Sequence, residues 1–250
     1  MKTIQSSFLT IFSLFTWGFV AVWTAAVTIP IVLFAFLLAP IDPDRRFSHK
    51  FGTAWGQGIF LANPFWKLKI TGRGFIRKNK AYVLVSNHMS LADIICAYCL
   101  GRQFKWVAKE SLFKIPFLGW SMSAMQYVKL RRGEHGSIRE SFDESLRWLN
   151  RNMSLLIFPE GTRSRTGQLG TFKNGAFKLA IRAKKPIIPI VLVGTDRAIQ
   201  KGKKTMAAGI QCRLKVLKPI PTDHLRDEDF VKLRDLVRLK MSEAIEDLKR

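Results

Sequence analysis

Residues 82–98 read YVLVSNHMSLADIICAY. Tyr82 to Ser86 is a short β-rich run, Asn87 to Ser90 is a polar turn, and an apolar helical run comes next. A strand passing through a tight turn into a helix is the repeating unit of α/β proteins. Working outward, further β-rich runs lie at Lys67–Thr71, Phe104–Ala108, Tyr127–Leu130, Leu155–Pro159, Ile187–Val193 and Ile210–Leu217. Helical periods alternate with them. Ser137 to Arg151 sets Ile138, Phe142, Leu146 and Leu149 on one face, with Ser137 and Glu140 reading as a capping box. Asn174 to Arg182 is a second period. A third, from about Asp227 to the C-terminus, aligns Phe230, Leu233, Val237, Met241, Ala244, Ile245 and Leu248, with acidic residues in its first turn. The expected fold is α/β, with a central, largely parallel and possibly mixed sheet flanked by helices.

The charges divide the chain in two. It has 250 residues, with 41 Lys and Arg against 18 Asp and Glu, a formal net charge of +23. None of these charges lies between Thr3 and Ile41. The division is therefore residues 1–41, an apolar helical membrane anchor, and 42–250, one globular domain. A straight helix of that uncharged length would extend about 58 Å, and Pro30 inside it would kink or divide it. A signal peptide is disfavoured, because its apolar stretch is usually only about 7–15 residues. Between Asp42 and Lys80 stand nine Lys and Arg against two Asp, a basic flank that keeps the globular domain on the cytoplasmic face of a membrane.

Composition also excludes classes. The 48% hydrophobic content rules out a disordered chain. A single long apolar run rules out a many-helix transporter. Three cysteines cannot build a disulfide framework, and with only four histidines a Cys/His zinc module is not expected. No nucleic-acid-binding motif accompanies the basic surface, so an anionic membrane surface is the expected partner rather than nucleic acid.

Chemistry concentrates at the strand ends. His88 and Asp93 would lie far apart in angle on a regular helix, but they meet if the helix starts near Ser90 and His88 precedes it. A general base oriented by a carboxylate then results. Ser90 and Asp93 also read as a capping box, which leaves the functional reading open on these residues alone. Phe158-Pro159-Glu160-Gly161-Thr162-Arg163-Ser164 ends a β run. Gly161 would let backbone amides approach an anion, Thr162 would donate a hydroxyl, Arg163 would offer a fork matched to phosphate, and Glu160 would position Arg163. It is equally legible as a solvated turn. Lys109 and Arg132 flank an amphipathic stretch that either lines an apolar groove or is core. Neither a Walker loop nor a G-x-S-x-G elbow is present.

Taken together these residues resemble the glycerolipid acyltransferases, and among them those acting on lysophosphatidate. The first family motif, N-H-x4-D, falls on Asn87, His88 and Asp93. The second falls on Lys109, Leu112, Gly119 and Arg132, with Arg131 as a one-residue alternative. The third is Phe158 to Ser164, and the fourth is the apolar run around Pro189. Order and spacing agree from about Val83 to Gly194. The resemblance implies acyl transfer from a thioester donor, acyl-CoA or acyl carrier protein, to the sn-2 hydroxyl of 1-acyl-glycerol-3-phosphate (lysophosphatidic acid), giving phosphatidic acid. It implies His88 as base, Asp93 as its partner, and phosphate contacts from Gly161 and Arg163 with support from Lys109, Arg132, Glu160 and Thr162. No metal or organic cofactor is implied. Two other readings stay open at this point. One is a sister acyltransferase acting on another lysophospholipid or an acyl-amino-acid lipid. The other is a non-catalytic basic membrane-binding protein.

Overall fold

The computed structural model describes residues 2–131, 133–164, 166–199 and 205–249. Each run expected as a strand is one: β1 (Trp66–Thr71), β2 (Val83–Ser86), β3 (Lys105–Lys109), β4 (Val128–Leu130), β5 (Leu155–Ile157), β6 (Ile187–Val193) and β7 (Ile210–Val216). They form one mixed sheet in the order β1-β7-β6-β2-β5-β3-β4. Only the β6–β7 pair is antiparallel. The central strand β2 is buried on both faces, which explains its apolar run Val83–Val85. Pro189 sits inside the central strand β6, where a ladder donor is missing. The β6–β7 register shifts by one residue across it, between the Ile187–Ile220 bridge and the Ile190–Val216 pair.

Alternate side chains feed two apolar layers. Leu84, Leu156, Ile188 and Ile190 face one layer, with α1 (Lys2–Leu37), α2 (Arg46–Leu61), α3 (Ala92–Tyr98) and α4 (Leu118–Ala124). Val83, Val85, Leu155 and Val191 face the other, with α5 (His135–Asn150), α6 (Gly175–Arg182) and α7 (Phe230–Lys249).

Two local expectations are corrected. Pro30 neither ends nor divides α1, which is continuous to Leu37. A helix-interior proline costs about 3 kcal/mol. Val27, Ile31 and Ala35 are buried on the same helix, each large one contributing roughly 1.5–3 kcal/mol, so packing outweighs the lost hydrogen bond. The chain reverses instead after Leu38, where the Asp42 carboxylate accepts the Arg46 and Phe47 N–H groups, each at 2.8 Å, and starts α2. Nor do Ser137 and Glu140 cap α5. That helix begins two residues earlier, and Ser137 Oγ accepts the Arg131 N–H at 3.1 Å.

Helix α2 has no counterpart in the sequence reading because Gly52, Gly56 and Gly58 lower its intrinsic propensity. Their smallness is what seats it between α1 and α3. A Cβ at Gly56 would lie 2.5 Å from Tyr98 Cβ, and one at Gly58 would lie 2.7 Å from Trp23 Nε1.

Candidate functional site

The turn after β2 is fixed before it does any chemistry. The Asn87 side-chain amide replaces a backbone unit beside β6. It donates to the Leu192 carbonyl and accepts the Leu192 N–H, both at 2.8 Å. This aims the next residue, His88, out of the strand end. Helix α3 starts at Ala92, so His88 lies in the turn before it and Asp93 in its first turn. His88 Nδ1 stands 2.8 Å from Asp93 Oδ2. The same oxygen accepts the Met89 and Ser90 N–H groups at 2.6 and 2.8 Å. One buried oxygen of Asp93 thus holds the backbone of the turn and stands against the imidazole, while the residue that precedes α3 is Leu91, with no side-chain cap. Because a carboxylate oxygen receives Nδ1–H, the lone pair is left on Nε2. The imidazole is stacked on Phe158, with ring centroids 4.0 Å apart, and its side chain keeps 14% exposure.

The segment after β5 wraps this turn. Glu160 Oε1 accepts the His88 N–H and Oε2 the Gly170 N–H, both at 2.9 Å. Ser164 N–H donates to the His88 carbonyl at 2.8 Å. The two Glu160 oxygens thus brace the backbone of the histidine turn and of its own loop. Burial pushes its carboxyl above the usual range, against the pull of those two N–H donors.

Gly161 has φ +70, the left-handed region, and a Cβ there would lie 3.1 Å from Lys173 Cε. Thr162 is exposed and Arg163 half-buried in the same loop. Lys109 lies exposed at the end of β3. Arg132 lies outside the described residues. Its neighbour Arg131, the alternative for that motif position, is engaged by Glu110 at 2.7 Å and Glu134 at 3.2 Å.

These strand ends open on a cavity of about 800 Å³. His88, Lys109, Phe158 and Gly161 line it together with Val27, Trp55 and other apolar residues of α1 and α2. Such a volume is in the range of a ligand cleft. Two members escape the sequence reading. Lys173 lines the cavity and stands against Gly161, its own N–H tied to the Pro159 carbonyl at 2.9 Å. The α1–α2 wall is the other, because an apolar leader gives no sign that it packs on a catalytic domain. The signal for Lys173 is its place just before the Asn174 helix start.

Known proteins resemble this chain. The acyltransferase family model matches residues 67–193. The chloroplastic 1-acyl-sn-glycerol-3-phosphate acyltransferase LPAT1 of Arabidopsis thaliana is 36% identical over 180 residues, covering 72% of this chain and 50% of the relative. The 1-acyl-sn-glycerol-3-phosphate acyltransferase of Saccharomyces cerevisiae is 32% identical over 188 residues, covering 72% and 60%. This chain thus spans about half to two thirds of the length of these relatives. The crystal structure of the 1-acyl-sn-glycerophosphate (LPA) acyltransferase PlsC from Thermotoga maritima matches with a TM-score of 0.81 and 26% identity, covering 100% of this chain and 98% of that one.

Proposed function

The chain belongs to the acyltransferase family, and within it we propose that it acylates the sn-2 hydroxyl of 1-acyl-glycerol-3-phosphate from a thioester donor, acyl-CoA or acyl carrier protein, giving phosphatidic acid. The observation that carries this is the His88–Asp93 pair at 2.8 Å, with His88 lining the same largely apolar cavity as Gly161. Similarity to relatives named for this activity supports it.

The acceptor hydroxyl attacks the thioester carbonyl carbon while Nε2 takes its proton. A positioned base contributes about 10²–10⁴-fold to such a step. Asp93 stabilises the imidazolium, as in a serine-protease triad, except that the substrate supplies the nucleophile. The tetrahedral intermediate then collapses, the C–S bond breaks, and the imidazolium returns the proton to the departing thiolate. No enzyme-bound acyl group, metal or organic cofactor enters this scheme. Gly161, Thr162 and Arg163 receive the acceptor phosphate, with Lys109 and Lys173 at the rim, and an acyl chain occupies the cavity. Glu160 serves by holding the His88 backbone.

Helix α1 is long and apolar enough to cross a bilayer over Leu9–Leu37. We place it in the membrane that supplies the acceptor, with the basic flank after Ile41 on the cytoplasmic side. The test is incubation of the purified protein with 1-acyl-glycerol-3-phosphate and either donor. Phosphatidic acid is the expected product, and its absence with both donors overturns the assignment.

A further inference from the structure

Between β3 and α4 the chain displays apolar side chains where a soluble surface would not. Ile115 is 44% exposed, Phe117 41% and Trp120 56%. The Phe117 and Trp120 rings lie 4.9 Å apart and form one patch. The turn is held in a shape its sequence resists. Phe117 has φ +61 and ψ −58, which a bulky L-residue adopts only under constraint. At Gly119 a Cβ would stand 2.1 Å from the Phe113 carbonyl oxygen, so no side chain is possible there.

The turn is closed by its own backbone, Leu118 N–H donating to the Pro116 carbonyl and Gly119 N–H to the Ile115 carbonyl, both at 2.7 Å, and α1 packs against it. Thr28 Oγ1 stands 3.2 Å from the Phe117 carbonyl and 2.7 Å from Ser121 Oγ. Neighbours of Thr28 on α1 are exposed as well, Ile29 at 68% and Val32 at 41%. Lys114 and Lys129 flank the patch, Lys129 Nζ lying 5.1 Å over the Phe113 ring. Aromatic tips between apolar surface and lysine heads suit the boundary of a bilayer, where the rings enter the acyl region and the ammonium groups meet anionic headgroups. The inner side of the same turn faces the cavity: Ile115, Pro116, Phe117 and Leu118 line it along with His88.

We propose that the turn Ile115–Trp120 enters the leaflet beside α1 and forms the side door through which a lipid tail passes between bilayer and cavity. The door rests on the acceptor proposed above; the insertion does not.

The experiment attaches an environment-sensitive NBD label at Trp120→Cys in a Cys99→Ser background, with Leu239→Cys on the opposite layer as control. Vesicles of phosphatidylcholine and phosphatidylglycerol, free of any acceptor, are added. The label at 120 is expected to shift to the blue and to become shielded from iodide, while the label at 239 stays in water. Equal iodide access at both positions, or failure of the labelled protein to sediment with the vesicles, overturns the proposal. In parallel, Trp120→Ser is expected to lower turnover of vesicle-borne acceptor about tenfold further than turnover of a short-chain monomeric acceptor, because only the former needs the inserted turn. An equal loss on both would make Trp120 a packing residue and remove the door. A wild-type protein that forms no phosphatidic acid in either format would refute the acyltransferase reading while leaving the label result intact.

Discussion

The histidine turn and the α1–α2 hairpin share one cavity and are built by opposite means. The turn is fastened by directional hydrogen bonds, local ones to Asp93 from three donors within five residues, and longer-range ones between Asn87 and Leu192, Glu160 and His88, and Ser164 and His88. In the hairpin several hydroxyls turn back on their own helix, as Thr16, Thr24 and Thr28 do on Phe12, Val20 and Thr24. It is held mainly by stacked rings such as Phe34 on Phe51, with a few ties such as Trp23 Nε1 to the Trp55 carbonyl at 3.0 Å. Directional bonds locate a reacting nitrogen to tenths of an ångström. Apolar contact is non-directional and fits a wall that must accept a flexible chain.

The contrast breaks most visibly at His88. His88→Ala is expected to lower acyl transfer by about 10²–10⁴-fold or more, while the melting temperature stays close to wild type, because the turn is fastened by its backbone and by Asp93 rather than by the imidazole. Turnover near normal in a folded variant would remove the base.

Arg163→Ala comes next. A charge-assisted hydrogen bond contributes roughly 1.5–3 kcal/mol, so kcat/KM for 1-acyl-glycerol-3-phosphate should fall about 10- to 150-fold. Lysophosphatidylcholine, whose phosphate carries one charge and a bulky cation, should lose less. Competition between the two acceptors reads the difference, and equal use of both by wild type would point to a sister acceptor.

The hairpin side is probed by Gly56→Ala. The added carbon meets Tyr98 Cβ at 2.5 Å, and overpacking of this kind costs about 1–3 kcal/mol. Amide exchange should quicken in α1 and α2 while Asn87–Asp93 stays protected. Uniform loss of protection would mean that the two regions form one cooperative unit.

A last test lies where β3 meets the turn between α1 and α2. Lys105 is fully buried, its Nζ donating to the Asp44 carbonyl at 2.7 Å and the Met125 carbonyl at 2.6 Å, 4.4 Å over the Trp148 ring. Burial pulls its ammonium down to about 7, with Asp44 and Asp42 opposing and Arg45 and Arg46 assisting. Above that pH the folded amine is neutral while the unfolded one still binds a proton. Stability should therefore rise with pH between about 7 and 10, by roughly 1 kcal/mol per unit, and fall as pH drops toward 7. Urea titrations at pH 7 and 9 should show this slope in wild type and a flatter one in Lys105→Met.

The strands, the helices that succeed them and the His88–Asp93 pairing are legible because each depends on neighbours in the chain: period, turn chemistry and a five-residue spacing. Pro30 misleads because its local cost is visible and the burial of Val27 and Ile31 is not. Ser137 misleads because its partner is Arg131, six residues back across a turn.

By itself the sequence determined the α/β alternation, the end of the uncharged stretch at Ile41, the charge excess and the residue types gathered at the strand ends. Those are properties of adjacent residues and of composition. Only the tertiary structure decided that Glu160 braces the histidine backbone, that Lys173 stands at Gly161, that a glycine-rich segment is a helix, and that the apolar leader walls the cavity rather than leaving the domain. Each of these rests on atoms brought within a few ångströms from distant parts of the chain. Close packing, which no local pattern carries, selects them.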